Sequence, residues 1–420
     1  MDRAILDWMR SDWDRRAVEA PFYYAGFAGW EQSLDTFIAS GREHAGAIEF
    51  ELSRLRRENA GPWVGLEIGC GPGRLMAALG GHFKELHGVD VSGEMIRLAR
   101  DVLRDSPHLH PHVNNGADLR MFPDGHFDFV YSYAVFQHIP CKPVVLSYLR
   151  EARRVLKSDG VLRAQFDSLP ESGPADTWTG CSFSAAEIAH FADANGFALL
   201  AISGEGTHYM WTTMRKIAPR GADLRDLTLL AVTSPAGARS IPQRGRGAAV
   251  SLWIRGAVET DGLTDFTVRF NGQSQRGCYL SPIADGCAFI NALLPKNIGT
   301  GMAKVGLTFQ GAEIGEEHVE ILPVARAPRI VSITDSVDKL SNSRIACGTM
   351  KVTLEDIADP TEVRFIVADM QVVVAHTECL DPHLDQYYFT VELPAKVPKG
   401  PCAMTVAVPG ADLPAAIEVV

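Results

Sequence analysis

Apolar and polar positions follow two different rhythms along this chain, and the rhythm changes once. Between residues 60 and 216, short apolar runs are separated by stretches with helical spacing. "WVGLEIG" reads as a strand, "GRLMAALGGHF" as a helix, "ELHGVD" as a strand and "SGEMIRLARDVLRD" as a helix. A short third strand, "PHVNN", precedes the strand "HFDFVYSYAV", the helix "KPVVLSYLREARRVL" and a fifth strand, "GVLRAQF". After the helix "SAAEIAHFADAN", the runs "FALLAISGE" and "HYMWTTMRK" close the set. Strands alternating with helices predict a parallel, doubly wound sheet. The last two strands lie too close for a helical crossover, so the seventh is expected to run antiparallel.

Residues 1–60 read instead as helices rich in aromatics, including Trp8, Trp13, Tyr24, Trp30 and Phe37. The pattern "HAGAIEFELSRLRREN" predicts a helix that Gly61-Pro62 stops. Beyond Lys216 come the linker-like stretches "APRGADLRD" and "ARSIPQRGRGAA", then short alternating runs such as "DFTVRFNG" and "QYYFTVEL". This predicts an all-β region. "VRF", "LSP"/"LDP", "LLP"/"ELP" and "GAEI"/"GADL" recur in it at offsets of roughly one hundred residues, the size of an immunoglobulin-like sandwich. Two such modules are expected, 218–326 and 327–420, after an N-terminal helical cap at 1–60 and an α/β domain at 61–217. Chance similarity within one larger β domain is the alternative. Because the α/β sheet is complete by "HYMWTTMRK", residues 1 to 218 are expected to fold alone.

Composition narrows the function classes. Apolar content of 46% with 22% charged residues is that of a globular chain, and no apolar stretch reaches the ~20 residues of a membrane helix. The N-terminus lacks the apolar core of a secretory signal. Eight scattered cysteines without a C-x-x-C suit reduced thiols, and neither they nor any carboxylate cluster predicts a metal site. A formal charge of −11 disfavours nucleic acid and anionic lipid as partners. The expected partner is a small or neutral molecule, in the cytoplasm.

The chemistry gathers around "LEIGCGPGRL", residues 66–75. Glycines between a strand and a helix let backbone amides approach a ligand with no Cβ in the way. The dinucleotide fingerprint fails here, because Arg74 stands where a third small residue belongs. The pattern is Glu67, Gly69, Gly71, Gly73, and an acid at the strand end suits a cationic ligand rather than a diphosphate. It also suits the capping of a nearby amide. Asp90, at the end of "GVDVS", is placed to accept ribose hydroxyls. Asp118, in the loop after the third strand, is placed to accept an adenine amino group, with Leu119 against the ring.

These motifs resemble the class I S-adenosylmethionine-dependent methyltransferases over residues 60–216. "LEIGCGPGRL" resembles the first motif, "GVDVSGEMIRLAR" the second and "ADLRMFPDGHFDFVYSYAVFQHI" the adenine loop with the fourth strand. The resemblance implies a Rossmann-like fold with S-adenosylmethionine as cofactor. It implies that Gly69, Gly71 and Gly73 line methionine and ribose, and that Glu67 orients the methionine ammonium. Asp90 takes the ribose, and Asp118 and Leu119 the adenine. Ser158-Asp159-Gly160 replaces the family's frequent Pro-Gly-Gly. The segment Asp12–Tyr24 resembles N-terminal segments of some bacterial members whose helices cover the cofactor.

His138, in "SYAVFQHIP", stands on the ligand-binding edge of the sheet and is the candidate general base; packing beside the helix is its alternative role. Tyr24, Trp178 and Trp211 are candidate acceptor-pocket walls, with core packing as the alternative. The expected reaction is methyl transfer to an oxygen of a small molecule or glycan precursor. N-methylation, or a non-catalytic cofactor-binding scaffold, is the alternative. The β modules are expected to dimerise the enzyme, bind carbohydrate or dock it to an assembly.

Overall fold

A computed structural model describes residues 3–26, 33–55, 63–171, 173–218, 225–324, 326–336 and 343–420. Trp30 and the Gly61-Pro62 stop lie outside them. The helices are α1 (Arg3–Glu19), α2 (Pro21–Gly26), α3 (Leu34–Leu52), α4 (Arg74–Leu79), α5 (Gly93–Val102), α6 (Lys142–Val155) and α7 (Ala185–Ala194). With them alternate β1 (Trp63–Ile68), β2 (Phe83–Asp90), β3 (Leu109–Val113), β4 (Phe127–Ser132), β5 (Leu156–Phe166), β6 (Phe197–Ser203) and β7 (Met210–Lys216). α3 ends at Leu52, short of the expected Asn59. Arg54 turns back there to pair with Glu51 and to donate to the Leu280 carbonyl at 2.8 Å.

The seven strands lie in the order β3-β2-β1-β4-β5-β7-β6, and β7 runs antiparallel to both β5 and β6. Strands β1 and β4 have helices on both faces, so their runs are almost continuously buried, as the apolar runs predicted. α5 begins at Ser92, whose hydroxyl accepts the Met95 N–H, and α7 begins with a capping box of Ser184 and Glu187.

The sheet does not close at seven strands. The chain continues through β8 (Thr228–Thr233), β9 (Ser240–Pro242), β10 (Ala249–Arg255), β11 (Phe266–Phe270), β12 (Gln273–Gln275), β13 (Tyr279–Leu280), β14 (Cys287–Leu293), β15 (Gly301–Phe309) and β16 (Ala312–Leu322). Beyond β6 the same sheet runs on through β13, β14, β10 and β8, giving eleven strands. The joint is narrow: Tyr279 pairs with Ala201, and the Ile202 N–H donates to the Cys278 carbonyl at 2.9 Å. A five-stranded sheet, β12-β11-β15-β16-β9, packs on this extension. One apolar core runs unbroken from Ile68, Val130 and Phe197 to Val250, Ile290 and Val305. The expectation of a self-contained immunoglobulin-like first module, and of a catalytic unit ending at residue 217, is thereby corrected. Alternation reveals strands but not their partners, and β6 offers a free edge that β13 covers.

The last unit comprises β17 (Arg329–Asp335), β18 (Arg344–Ile345), β19 (Thr349–Glu355), β20 (Arg364–Val367), β21 (Met370–Asp381), β22 (Gln386–Glu392), β23 (Gly400–Val408) and β24 (Ala411–Val419). The long β21 pairs with β22 and with β20, linking two halves around a separate core of Val352, Phe365, Phe389 and Val406. Ion pairs join it to its neighbour: Arg246 to Glu355 at 3.0 Å, and Arg326 to Asp356 and Asp385 at 3.0 Å each.

Candidate functional site

A cavity opens at the carboxyl ends of β1, β2 and β4, where a doubly wound sheet presents strand-end loops to a ligand. With its mouth it holds about 850 Å³. Its floor is the glycine turn. Gly69 has φ +75°, and a Cβ there would stand 2.3 Å from Val135. Gly71 has φ +50° and meets only Ala25 at 3.6 Å, so its bare backbone borders open space. Gly73 does not line the cavity among the described residues; it starts α4 and packs against Leu103.

Two acids face the cavity. Glu67 is 3% exposed and accepts the Tyr131 hydroxyl at 2.9 Å. Burial pushes its carboxyl up to about 8, against the opposing Tyr131 hydrogen bond and Arg74. Asp90 accepts the Gly71 and Ser92 N–H groups at 2.9 Å each, and burial raises it to about 6. It therefore braces the glycine turn as well as facing the ligand space. Asp118 and Leu119 are not among the described residues lining the cavity. Leu119 is fully buried, its N–H donates to Glu151 at 3.0 Å, and the Asp118 carboxylate turns to Arg120.

The roof is the N-terminal region: Met9, Trp13, Tyr24, Ala25 and Phe37. Two anchors hold it down. Asp14 of α1 accepts the Ser92 hydroxyl at 2.6 Å and the Glu94 N–H at 3.2 Å, placing an anion at the start of α5. Arg16 donates to Thr177 at 3.2 Å and lies within 5.4 Å of the Trp13, Tyr24 and Trp178 ring centres. Neither anchor has a signature in the sequence.

His138 forms a wall shared by the cavity and a neighbouring open groove. Its Nδ1 lies 2.7 Å from the Trp178 carbonyl, which only accepts, so Nδ1 carries the proton. Nε2 faces the Gln137 amide at 3.3 Å. Burial lowers the ring to about 4, which makes it neutral near pH 7 and a weak base. Tyr24 lines the cavity and Trp178 the groove. Trp211 stacks behind the cavity residue Tyr133, with ring centres 5.3 Å apart, and lines neither among the described residues.

Buried Gln165 was not legible as a site residue. Its amide accepts the Ala134 N–H at 2.9 Å and donates to Gln137 at 2.7 Å and the His208 carbonyl at 2.5 Å. Ala134 is held at φ +55°, a costly conformation for a residue with a Cβ.

Residues 66–164 match the family model described as "Methyltransferase domain". Over those residues the chain is similar to a methyltransferase domain. The match takes in the glycine turn, Asp90 and His138 and stops short of β6. Among solved structures, this chain is similar to the YcgJ protein from Bacillus subtilis, with 17% identity over 42% of this chain and 100% of that one and a TM-score of 0.34. It is similar to phosphoethanolamine N-methyltransferase 1 from Haemonchus contortus, with 14% identity over 53% of this chain and 51% of that one and a TM-score of 0.40. A methyltransferase from Methanosarcina mazei gives 17% identity over 40% and 98%, with a TM-score of 0.34. A comparison with the curated proteins finds no match.

S-adenosylmethionine is the cofactor that the resemblance of the sequence motifs implies. The residues present fit it. Gly71 leaves open the space a Cβ would fill, and Glu67 is a buried acid that a cationic amino group would return to its charged form. Among the described residues, no group of three or more His, Cys, Asp or Glu side chains is arranged to hold a metal ion. Among the described residues, no helix is long and apolar enough to cross a membrane.

Proposed function

We propose that the protein transfers a methyl group from S-adenosylmethionine to an oxygen of a small molecule or glycan precursor. The observation that carries this reading is the open groove beside the cofactor cavity, which shares His138 as a wall and so sets space for an acceptor next to the cofactor. When bound, the cofactor supplies an electrophilic methyl group on a sulfonium.

The chain's own residues bind and orient. Glu67 takes the amino-acid ammonium, Gly69 and Gly71 give the backbone clearance, and Asp90 takes the ribose with the oxygen lone pairs its two amides leave over. Val91, Met95 and Tyr148 would hold the adenine, beside the loop that carries Asp118 and Leu119. Met9, Trp13 and Phe37 exclude water, so that most of the acceleration comes from alignment. Acceptor atoms enter through the groove past Trp178. Glu171 and Asp176 along that groove support an amine acceptor as a second reading.

Calorimetry with S-adenosylmethionine and its demethylated product tests the cofactor half. A panel of hydroxyl and amine acceptors, followed by release of demethylated cofactor, tests the transfer. Tight binding with no release from any acceptor would favour a scaffold.

A further inference from the structure

A second histidine stands in the groove beyond His138. His208, just before β7, places Nδ1 2.8 Å from Asp167 Oδ2. Asp167 follows β5, and its other oxygen accepts the Leu169 N–H at 2.7 Å, so the carboxylate is fixed. A carboxylate only accepts, hence Nδ1 carries the proton and Nε2 is the basic nitrogen. The His208 side chain is 46% exposed and lines the groove. Its Nε2 lies 3.8 Å from Glu378 Oε1, on β21 of the last β unit. Gln165 ties the His208 carbonyl to the Gln137 and Ala134 segment that walls the cofactor cavity.

We propose that His208, oriented by Asp167 and flanked by Glu378, is the proton acceptor for a hydroxyl-bearing acceptor bound in this groove. The proposal rests on the methyl-transfer reading above and deepens it. The acceptor's oxygen bonds to the methyl carbon as the carbon–sulfur bond breaks, its electron pair staying on sulfur. The hydroxyl proton passes to His208 Nε2, which later releases it to water. The imidazolium formed this way lies between two carboxylates, as an ion with that charge requires. His138, by contrast, has Nδ1 on the Trp178 carbonyl and Nε2 facing the Gln137 amide, and burial lowers its ring.

The arrangement gives the last β unit a place in the active site. Tyr388 of β22 donates to Glu378, and His376 and Lys351 stand round it, His376 at 3.9 Å. Tyr209 faces the same carboxylate. The hydrogen bond to Asp167, with help from Glu378, holds His208 above the usual imidazole range.

The test uses full-length protein and three variants: His208→Gln, Glu378→Gln and His138→Gln. Sugars, phenols and hydroxy acids serve as acceptors, with primary amines alongside. Readouts are release of demethylated cofactor against pH, cofactor affinity by calorimetry, and the His208 titration by NMR on histidine-labelled protein. His208→Gln is expected to lower turnover with hydroxyl acceptors by ~10²-fold or more while cofactor affinity stays within about twofold. Glu378→Gln should lower the His208 titration and shift the acid limb of the rate profile with it, whereas His138→Gln should leave that limb in place. His208→Gln activity within about threefold of wild type at every pH, or a His208 titration indifferent to Glu378→Gln, would overturn the proposal. So would turnover of amines alone, which leaves methyl transfer standing. If the wild type releases no demethylated cofactor with any acceptor, the methyl-transfer reading fails, and the base assignment with it.

Discussion

Asp14 and Ser92 meet at 2.6 Å, carboxylate to hydroxyl, across 78 residues of chain. Through this contact the lid helix α1 is tied to the turn that Asp90 also braces, so lid position and ribose site share one anchor. Asp14→Ala removes an anion from the start of α5, an interaction of about 0.3–1 kcal/mol. The expected result is faster hydrogen exchange across α1 and a severalfold faster cofactor dissociation, with Asp14→Asn intermediate. Unchanged exchange in α1 would show that Arg16 alone holds the lid.

Asp90→Ala is expected to weaken cofactor binding by roughly 1.5–3 kcal/mol, the loss of hydrogen bonds to a charged acceptor. It also strands the Gly71 and Ser92 amides, so the free protein should lose about 1–2 kcal/mol of stability. Calorimetry and urea denaturation separate the two effects. Near-wild-type affinity would remove Asp90 from the ribose site.

Glu67 links cofactor binding to protons. With its carboxyl held at about 8, it is mostly protonated in the free protein at pH 7 and ionises beside a bound ammonium. Binding at pH 7 should therefore release close to one proton, measured by calorimetry in buffers of different ionisation enthalpy. Glu67→Gln should abolish the release. Because the folded-state value is raised, stability falls as pH rises from about 4.5 through 8, and Glu67→Gln should flatten that slope.

Two histidines, His138 buried and His87 half-buried, give the opposite slope. Burial lowers His138 to about 4, and burial with the neighbouring His110, His112 and His126 lowers His87 to about 4. Their folded-state values lie below 6.5, so the unfolded chain binds more protons between those limits. Stability is complete above pH 6.5 and is lost as pH falls through 4. His87→Gln should stay closer to its neutral-pH urea midpoint at pH 4.5 than the wild type does.

Truncation separates the two kinds of boundary. Cutting after Ala218 strips β13 from the β6 edge and removes Leu280 and Glu259, the partners of buried Arg54 and Arg215. Arg54 keeps Glu51, but the cut uncovers the apolar core that β6 and β7 share with the removed strands, and the fragment should be insoluble or molten. Cutting after Val324 leaves that core whole, so the protein should stay folded and bind cofactor with unchanged affinity. It should also lose the Glu378 contribution to the His208 titration. A soluble, cofactor-binding 1–218 fragment would show that the shared core is dispensable.

The amino-acid sequence by itself determined what depends on local backbone geometry. Period-two and helical patterns marked β1 to β7, the paired closing strands set the antiparallel β7, and "EIGCGPG" placed Glu67, Gly69 and Gly71 at one strand end. Such features are dictated within a few residues, because glycine conformations and side-chain periods are local. Only the tertiary structure decided the rest. The β6–β13 joint arises because a free strand edge accepts any strand of the right register, which no pattern along the chain encodes. Burial, not spacing, makes His138 a weak base and Glu67 a proton reservoir. And His208, Asp167 and Glu378 come from three segments far apart in sequence, where desolvation and carboxylate neighbours act only after the sheets have packed.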